Sequence, residues 1–323
     1  MILLTGATGF VGNAVLKQLM QQPEVAIRTY GRRAPAGGSD NRAADAGPQL
    51  MSHVMGEISA AADYAPALVD VDVVIHCAAQ AHINKNATNR QKEFNHVNCD
   101  GTLKLARQAI AAGVKRFVFI SSIGVNGGHN QKGRFKHNDA ADPWDEYTQS
   151  KYAAELGLRQ IAKETGLEVV IIRPPLVYGA NAPGNFGKLI QAVMRARWLP
   201  LGAIHNKRSF VALDNLVDLI IICIEHPNAA NQIFLVSDGD DISTTQLLVM
   251  MTLAAGKSPR LLSVPMSWLR LLGRVTGKRA VIERLCGNLL VDISHTKAIL
   301  GWQPPISVEE GIRRCFIKDK DKC

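Results

Sequence analysis

The sequence predicts a doubly wound α/β protein: a parallel sheet covered by helices on both faces, joined to a smaller, mostly helical second region. Three observations predict it. Short, nearly continuous apolar runs alternate with longer segments of helical period through the first half of the chain. Such runs suit strands buried on both faces, and parallel strands require crossover helices of right-handed sense. A glycine-rich turn, Gly6 to Gly12, joins the first strand to the first helix. Finally, 323 residues, 47% hydrophobic and 20% charged, with glycine and proline scattered, describe a globular chain of about two domains rather than a disordered, collagenous or coiled-coil one.

Taken in order, the predicted strands are ILLT at 2–5, VAIRT at 25–29, VDVVIHC at 71–77, RFVFIS at 116–121 and EVVIIR at 168–173. The predicted helices between them are Val11–Gln21, Asn95–Ala112 and Tyr147–Thr165, and Gly31–Pro48 reads as a long surface loop. After about residue 175 the alternation breaks down into helices at Gly184–Arg197 and Asp214–Glu225, a strand at 231–236 and mostly helix beyond. Residues 1–175 are thus expected to form the sheet domain, with interleaved pieces near 205–237, and 176–323 the second domain. Six cysteines, at 77, 99, 223, 286, 315 and 323, show neither C-x-x-C spacing nor histidine partners, so they read as reduced thiols, and no metal site is expected. The start Met1-Ile2-Leu3-Leu4-Thr5-Gly6 lacks a signal-peptide pattern, and the longest apolar run, Leu219–Ile224, is far short of a span of ~20 residues. A cytoplasmic location is expected.

Gly6, Gly9 and Gly12 fall where a strand ends and a helix begins. Free N–H groups at a helix N-terminus bind a pyrophosphate when no side chain intervenes, so the segment with Thr8, Phe10 and Val11 reads as a dinucleotide phosphate loop. Its spacing is G-x-x-G-x-x-G rather than G-x-G-x-x-G. After the second strand, where a carboxylate would hold a ribose hydroxyl, stand Arg32 and Arg33. Two guanidiniums can clamp a 2′-phosphate, which favours NADP over NAD; the competing reading is that they solvate a surface loop.

Ser122 follows the strand at 116–121, and Tyr147 and Lys151 stand four apart on the next helix, on one face. A free phenol titrates near ~10, so work near neutrality needs about 4 kcal/mol of preference for phenolate. An ammonium at ~5 Å and an effective dielectric of ~20 supplies about 3 kcal/mol. Tyr147 is therefore the expected acid or base, with Ser122 holding the substrate oxygen.

On these motifs the chain resembles the extended short-chain dehydrogenases/reductases of the nucleotide-sugar epimerase/dehydratase type. The residues that carry the resemblance are TGATGFVG at 5–12, VVIHCAA at 73–79, VNCDGT at 97–102, SSIGVNG at 121–127, YTQSK at 147–151, RPPLVYG at 173–179 and RSFVALDNLVD at 208–218. The resemblance implies a Rossmann domain. It also implies that Ala78, Ala79 and Gln80 pass the cofactor's ribose and phosphates, that Glu57 and Ile58 border its adenine, and that Lys151 holds the nicotinamide ribose. Pro174 to Val177 would lie beside the nicotinamide, and Asn185 and Arg208 would contact a UDP-sugar diphosphate. Arg208 offers a fork for phosphate and Asn185 opens a helix, which agrees with that role. His82, two residues past Gln80, is a further candidate contact to the sugar. Asn126 departs from the tyrosine common after the family's serine.

The C-terminal run is similar to a narrower bacterial group that reduces a UDP-4-keto-6-deoxy-N-acetylhexosamine for surface polysaccharides such as O-antigen lipopolysaccharide. The leading expectation is therefore an NADPH-dependent reduction at carbon 4 of a UDP-linked sugar. The alternatives are a UDP-sugar 4-epimerase with bound NAD, acting on UDP-glucose or UDP-N-acetylglucosamine, and a non-catalytic dinucleotide sensor. A homodimer is compatible with this reading. The formal charge of +9 suits anionic ligands. Nucleic acid is not expected as a partner, because aromatics are not interleaved with the basic residues. Seven basic residues against one acid, Glu283, between Lys257 and Arg284 accompany Trp268, Leu269, Leu271, Leu272 and Val275. The favoured reading packs this apolar face inward; the minor one is contact with an anionic membrane surface.

Overall fold

The computed structural model describes residues 1–35, 51–81, 89–130, 133–277 and 279–317. Ten strands are present among them: β1 (Ile2–Thr5), β2 (Ile27–Gly31), β3 (Met51–Met55), β4 (Val73–His76), β5 (Arg116–Ile120), β6 (Glu168–Arg173), β7 (Leu176–Tyr178), β8 (Arg208–Ala212), β9 (Ile233–Leu235) and β10 (Asp241–Ile242). Seven form one parallel sheet in the order β3-β2-β1-β4-β5-β6-β9. Chain direction across the sheet reverses between β1 and β4, which opens a crevice beyond the carboxyl ends of those strands.

Alternate residues of each strand feed two separate cores, as the pleat requires. Ile2, Leu4, Val118, Ile120, Val170 and Ile172 pack with the helices Phe10–Leu19 and Leu213–Glu225 on one face. Leu3, Phe117, Phe119, Val169 and Ile171 pack with the helices Thr102–Ala111 and Glu146–Thr165 on the other. The doubly wound fold expected from the sequence is the observed one.

Three details differ from expectation. The strand β3 was hidden because MSHVM has only one β-branched residue; it is held by its pairing with β2 and by a 2.9 Å hydrogen bond between Thr29 Oγ1 and the buried His53 Nδ1. The single helix expected at Asn95–Ala112 begins earlier, at Arg90, and passes through a π-helical turn at His96–Gly101. The second half, expected to be mostly helix with one strand at 231–236, also carries a three-stranded sheet, β10-β8-β7. A third core surrounds it, with Tyr178, Phe186, Phe210, Leu248, Met251 and Ile312 buried together. The loop at Gly31–Pro48 lies mostly outside the described residues.

Candidate active site

The phosphate loop is built by backbone sterics. Gly6, at the end of β1, has φ +74°, and a Cβ there would come within 2.6 Å of Ala78 N. A Cβ on Gly12 would meet Gly6 O at 2.2 Å, so the first helix can lie this close to the strand only with glycine. Gly9 precedes Phe10–Leu19, and no side chain caps that helix. Its first-turn N–H groups are therefore left for an anion, and the residues present fit a dinucleotide pyrophosphate. Thr8 and Gly9 are exposed, while Phe10 and Val11 are half-buried.

Neighbouring loops converge on this turn. The backbone of Ala78 and Ala79 continues from β4 beside Gly6, and Gly179 passes so near Phe10 that a Cβ there would sit 3.3 Å from the ring. Pro174, buried, accepts the Ile123 N–H at 2.9 Å, which fastens the segment carrying Val177 to the turn after Ser122. Ile58 is half-buried against Gly101, while Glu57 is exposed and its carbonyl accepts from Tyr30 Oη at 3.1 Å. Arg32 and Arg33 are exposed after β2 and make no hydrogen bond or ion pair among the described residues. His82 lies outside the described residues.

Ser122 caps the short turn Ile123–Val125, its Oγ accepting the Gly124 N–H at 3.1 Å. That turn presses on the start of the helix Glu146–Thr165: a Cβ on Gly124 would stand 2.4 Å from Thr148 Cγ2. A capping box between Asp145 and Thr148 sets the helix start, so Tyr147 falls in the first turn and Lys151 one turn later. Ser122, Tyr147 and Lys151 are thus gathered at the carboxyl edge of β5, although no hydrogen bond joins them to one another among the described residues.

The electrostatics differ from the simple expectation. The Lys151 side chain runs inward, where Nζ donates to Ile120 O at 2.8 Å and lies 4.4 Å from the centre of the Phe119 ring. Burial pushes Lys151 down to about 8, opposed by Cys77 and Glu155. Burial likewise pushes Tyr147 up to about 12, with Asp145 adding to it. The ammonium does not acidify the phenol here, because it is spent on a carbonyl beneath the sheet edge rather than aimed at Tyr147 Oη. With its pKa raised to about 12, the phenol is protonated near neutrality, and positive charge placed beside it would lower that value.

Several residues that hold this site, among them Asn98, Ser150 and Glu155, escaped the sequence reading. Asn98, buried in the π-helical turn, accepts from Gln80 N at 2.8 Å and donates to Gln80 O and Ser150 Oγ, both at 3.0 Å. Ser150 Oγ in turn donates to Tyr147 O at 2.7 Å. One amide therefore ties the loop at Gln80 to the helix that carries Tyr147 and Lys151. His76 bridges Thr5 and Thr102 at 2.7 and 2.9 Å and is pushed down to about 3 by burial and by Lys151, so it is a neutral core residue. Asn126 accepts from Arg173 Nη1 at 3.0 Å, and Arg173 is paired with buried Glu155, which also accepts from Ser121 Oγ at 2.5 Å. The departure at Asn126 is thus absorbed into a buried polar network. The signal for Asn98 lay within VNCDGT, but only the fold shows that its amide faces Gln80.

On the distal side, Arg208 opens β8 and is held below its ordinary value by burial. It donates to the carbonyls of Arg284 and Gly287. Asn185 is exposed in the first turn of Gly184–Met194. Trp144, next to the serine turn at Gly124 and Gly128, carries the Arg284 guanidinium 4.6 Å from its ring centre.

A model of the NAD dependent epimerase/dehydratase family matches residues 2–237. The chain belongs to that family. Family membership makes it an NAD(P)-dependent enzyme of the extended short-chain dehydrogenase/reductase type, of the kind that acts on nucleotide sugars. It is 44% identical to a UDP-glucose 4-epimerase of Vibrio cholerae over 97% of this chain and 93% of that one. It is 25% identical, over 97% of this chain and 93% of that one, to an N-acetyl-α-D-glucosaminyl-diphospho-ditrans,octacis-undecaprenol 4-epimerase of Escherichia coli O157:H7. A UDP-glucuronic acid 4-epimerase from Bacillus cereus, solved with NAD, superposes with a TM-score of 0.77 at 19% identity, covering 98% of this chain and 97% of that one.

Proposed function

We propose that this family member is a UDP-sugar 4-epimerase using NAD, with UDP-glucose or its N-acetyl analogue as substrate. The observation that carries the reading is 44% identity, over almost the whole chain, to a protein named for that reaction. It reverses the order of the two enzymatic readings drawn from the sequence, in which a 4-ketoreductase came first. NAD would be held by the Gly6–Gly12 loop, by the Ala78–Gln80 backbone, by Glu57 and Ile58, by Pro174 and Val177, and by Lys151. When bound it accepts a hydride from carbon 4 of the sugar and returns it. Tyr147 takes the proton of the carbon-4 hydroxyl and gives it back, Ser122 donates a hydrogen bond to that oxygen, and Lys151 orients the ribose. Arg208 and Asn185 hold the diphosphate. The domain division would follow these roles, residues 1–175 with pieces near 205–237 for the dinucleotide and 176–323 for the UDP-sugar, with Val177 at the boundary.

The ketoreductase is kept as the second reading by one observation: Arg32 and Arg33 stand exposed after β2, where no carboxylate is present to hold a ribose hydroxyl. One assay separates the two. Purified protein with UDP-glucose and catalytic NAD is expected to form UDP-galactose with no net change in absorbance at 340 nm. Stoichiometric consumption of NADPH with a UDP-4-keto sugar, and no interconversion of UDP-hexoses, would replace the first reading by the second.

A further inference from the structure

The helix Met266–Val275 has three distinct sides. At 3.6 residues per turn, Met266, Leu269 and Gly273 form one row, and they are half-buried or buried against the third core. Trp268, Leu271, Leu272 and Val275 fall on the outer side, exposed by 64%, 56%, 51% and 78%. Arg270 and Arg274, four apart and exposed, form a row flanking that outer stripe. The expectation that the apolar face packs inward therefore holds for one row only; a second apolar row faces water.

Exposed apolar side chains also occur on the segments that lead to the helix. Met194, at the end of the helix Gly184–Met194, and Trp198, just beyond it, are exposed, and the stretch that follows is fastened to the segment leading into the helix Met266–Val275. Leu199 N donates to Arg260 O at 3.0 Å, Leu262 N donates to Leu199 O at 2.8 Å, and Arg260 Nη1 donates to Ala196 O at 3.3 Å. Leu262 is exposed as well. So many large apolar side chains in water on one part of a chain mark an interaction surface.

We propose that this face seats the protein on an anionic lipid bilayer. The charge around it selects the occupant. Arg270 and Arg274 are exposed on the helix, and Arg260 is exposed and Lys257 half-buried on the segment leading to it, while the one acid between Lys257 and Arg284, Glu283, borders a small crevice with Arg270 and Arg274. A second copy of the chain would bring like charges together across the contact, which costs affinity, whereas anionic headgroups neutralise them. Tryptophan and leucine at the depth of the headgroups, with arginines whose stems lie along the apolar boundary, are what an interfacial helix presents. The docked helix packs against Arg279–Cys286, whose Arg284 lies on Trp144 and whose carbonyl oxygen at Arg284 accepts from Arg208. The membrane-facing side is thus one helix away from the wall of the crevice. Docking through this face is independent of which sugar is turned over.

The test is sedimentation of the whole protein with vesicles of phosphatidylcholine, with and without phosphatidylglycerol. Wild-type protein is expected to pellet with the anionic vesicles and not with phosphatidylcholine alone, less so as salt is raised. Trp268→Glu/Leu272→Glu is expected to bind at least ten-fold more weakly, and Arg270→Glu/Arg274→Glu to lose the salt-dependent part. Both variants should keep wild-type turnover of a soluble UDP-sugar, which also reports that they are folded. In wild type, Trp268 fluorescence should be quenched by brominated lipid, and Trp268→Phe should lose that component. No pelleting of the wild type, or equal pelleting of wild type and variants, overturns the proposal. A concentration-dependent dimer that Trp268→Glu/Leu272→Glu dissociates, without vesicle binding by the wild type, assigns the face to a second copy instead.

Discussion

Replacing Asn98 by alanine would remove all three hydrogen bonds by which one buried side chain joins the loop at Gln80 to the helix Glu146–Thr165. Two of its partners are the N–H and C=O of Gln80, and the third is Ser150 Oγ. At about 1 kcal/mol for each lost bond, the destabilisation is about 3 kcal/mol, and more if the part-buried Gln80 backbone groups find no water. Ser150→Ala alone should cost about 2 kcal/mol, because it loses the bond accepted from Asn98 and the one the Ser150 hydroxyl donates to Tyr147 O. The two residues share a bond, so the double variant should be more stable than the sum of the single losses implies, by roughly 0.5–1 kcal/mol. Urea unfolding of wild type, both single variants and the double variant gives the cycle, and NAD titration of the folded proteins should show about ten-fold weaker binding for Asn98→Ala, equivalent to ~1.4 kcal/mol. A coupling energy indistinguishable from zero, with unchanged NAD affinity, would refute the claim that this amide registers the loop on the helix.

Three further outcomes are expected. Tyr147→Phe should lower epimerisation by 10²–10⁴-fold, the usual worth of a positioned acid–base group, while leaving the urea midpoint unchanged, because Tyr147 Oη makes no hydrogen bond among the described residues. His76 is held at about 3 in the fold against an ordinary 6.5, so the unfolded chain binds the extra proton as pH falls below 6.5. The stabilisation it contributes is present above pH 6.5 and is lost toward pH 3, about 2 kcal/mol of it by pH 5; His76→Gln should lack this part of the acid dependence in unfolding measured from pH 7 to 5. Arg32→Ala/Arg33→Ala should leave NAD affinity within two-fold and abolish any binding of NADP, read by isothermal titration; a large loss of NAD affinity would show that these guanidiniums serve the pyrophosphate instead.

The sheet and its phosphate loop were legible because each rests on local chemistry. A run such as EVVIIR has few other uses, and glycine at 6 and 12 is imposed by close backbone approach. The Ser122, Tyr147 and Lys151 set was legible from spacing, since the helix puts residues four apart on one side. Their electrostatics were not. Sequence places an ammonium near a phenol, but only the fold shows that Lys151 turns to Ile120 O. The strands β3, β7, β8 and β10 were missed because each has a single β-branched residue and takes its stability from pairing partners far along the chain rather than from its own composition. The outer row of Met266–Val275 was misread for a related reason: an apolar residue at helical spacing says that a face is apolar, and not what it meets.

The position of β9 bears on how the chain reaches its native state during synthesis. β6 ends at Arg173, yet the strand that covers its outer edge begins at Ile233, after the excursion through β7 and β8. At about 5–20 residues per second, a ribosome takes roughly 3–12 s to supply those intervening residues. Throughout that interval the nascent polypeptide carries an uncovered ladder rich in valine and isoleucine, the kind of edge on which unrelated strands pair and aggregate. Truncated products ending between these two strands should therefore be insoluble or chaperone-bound, whereas elongation past Leu235 closes the hazard within the same molecule.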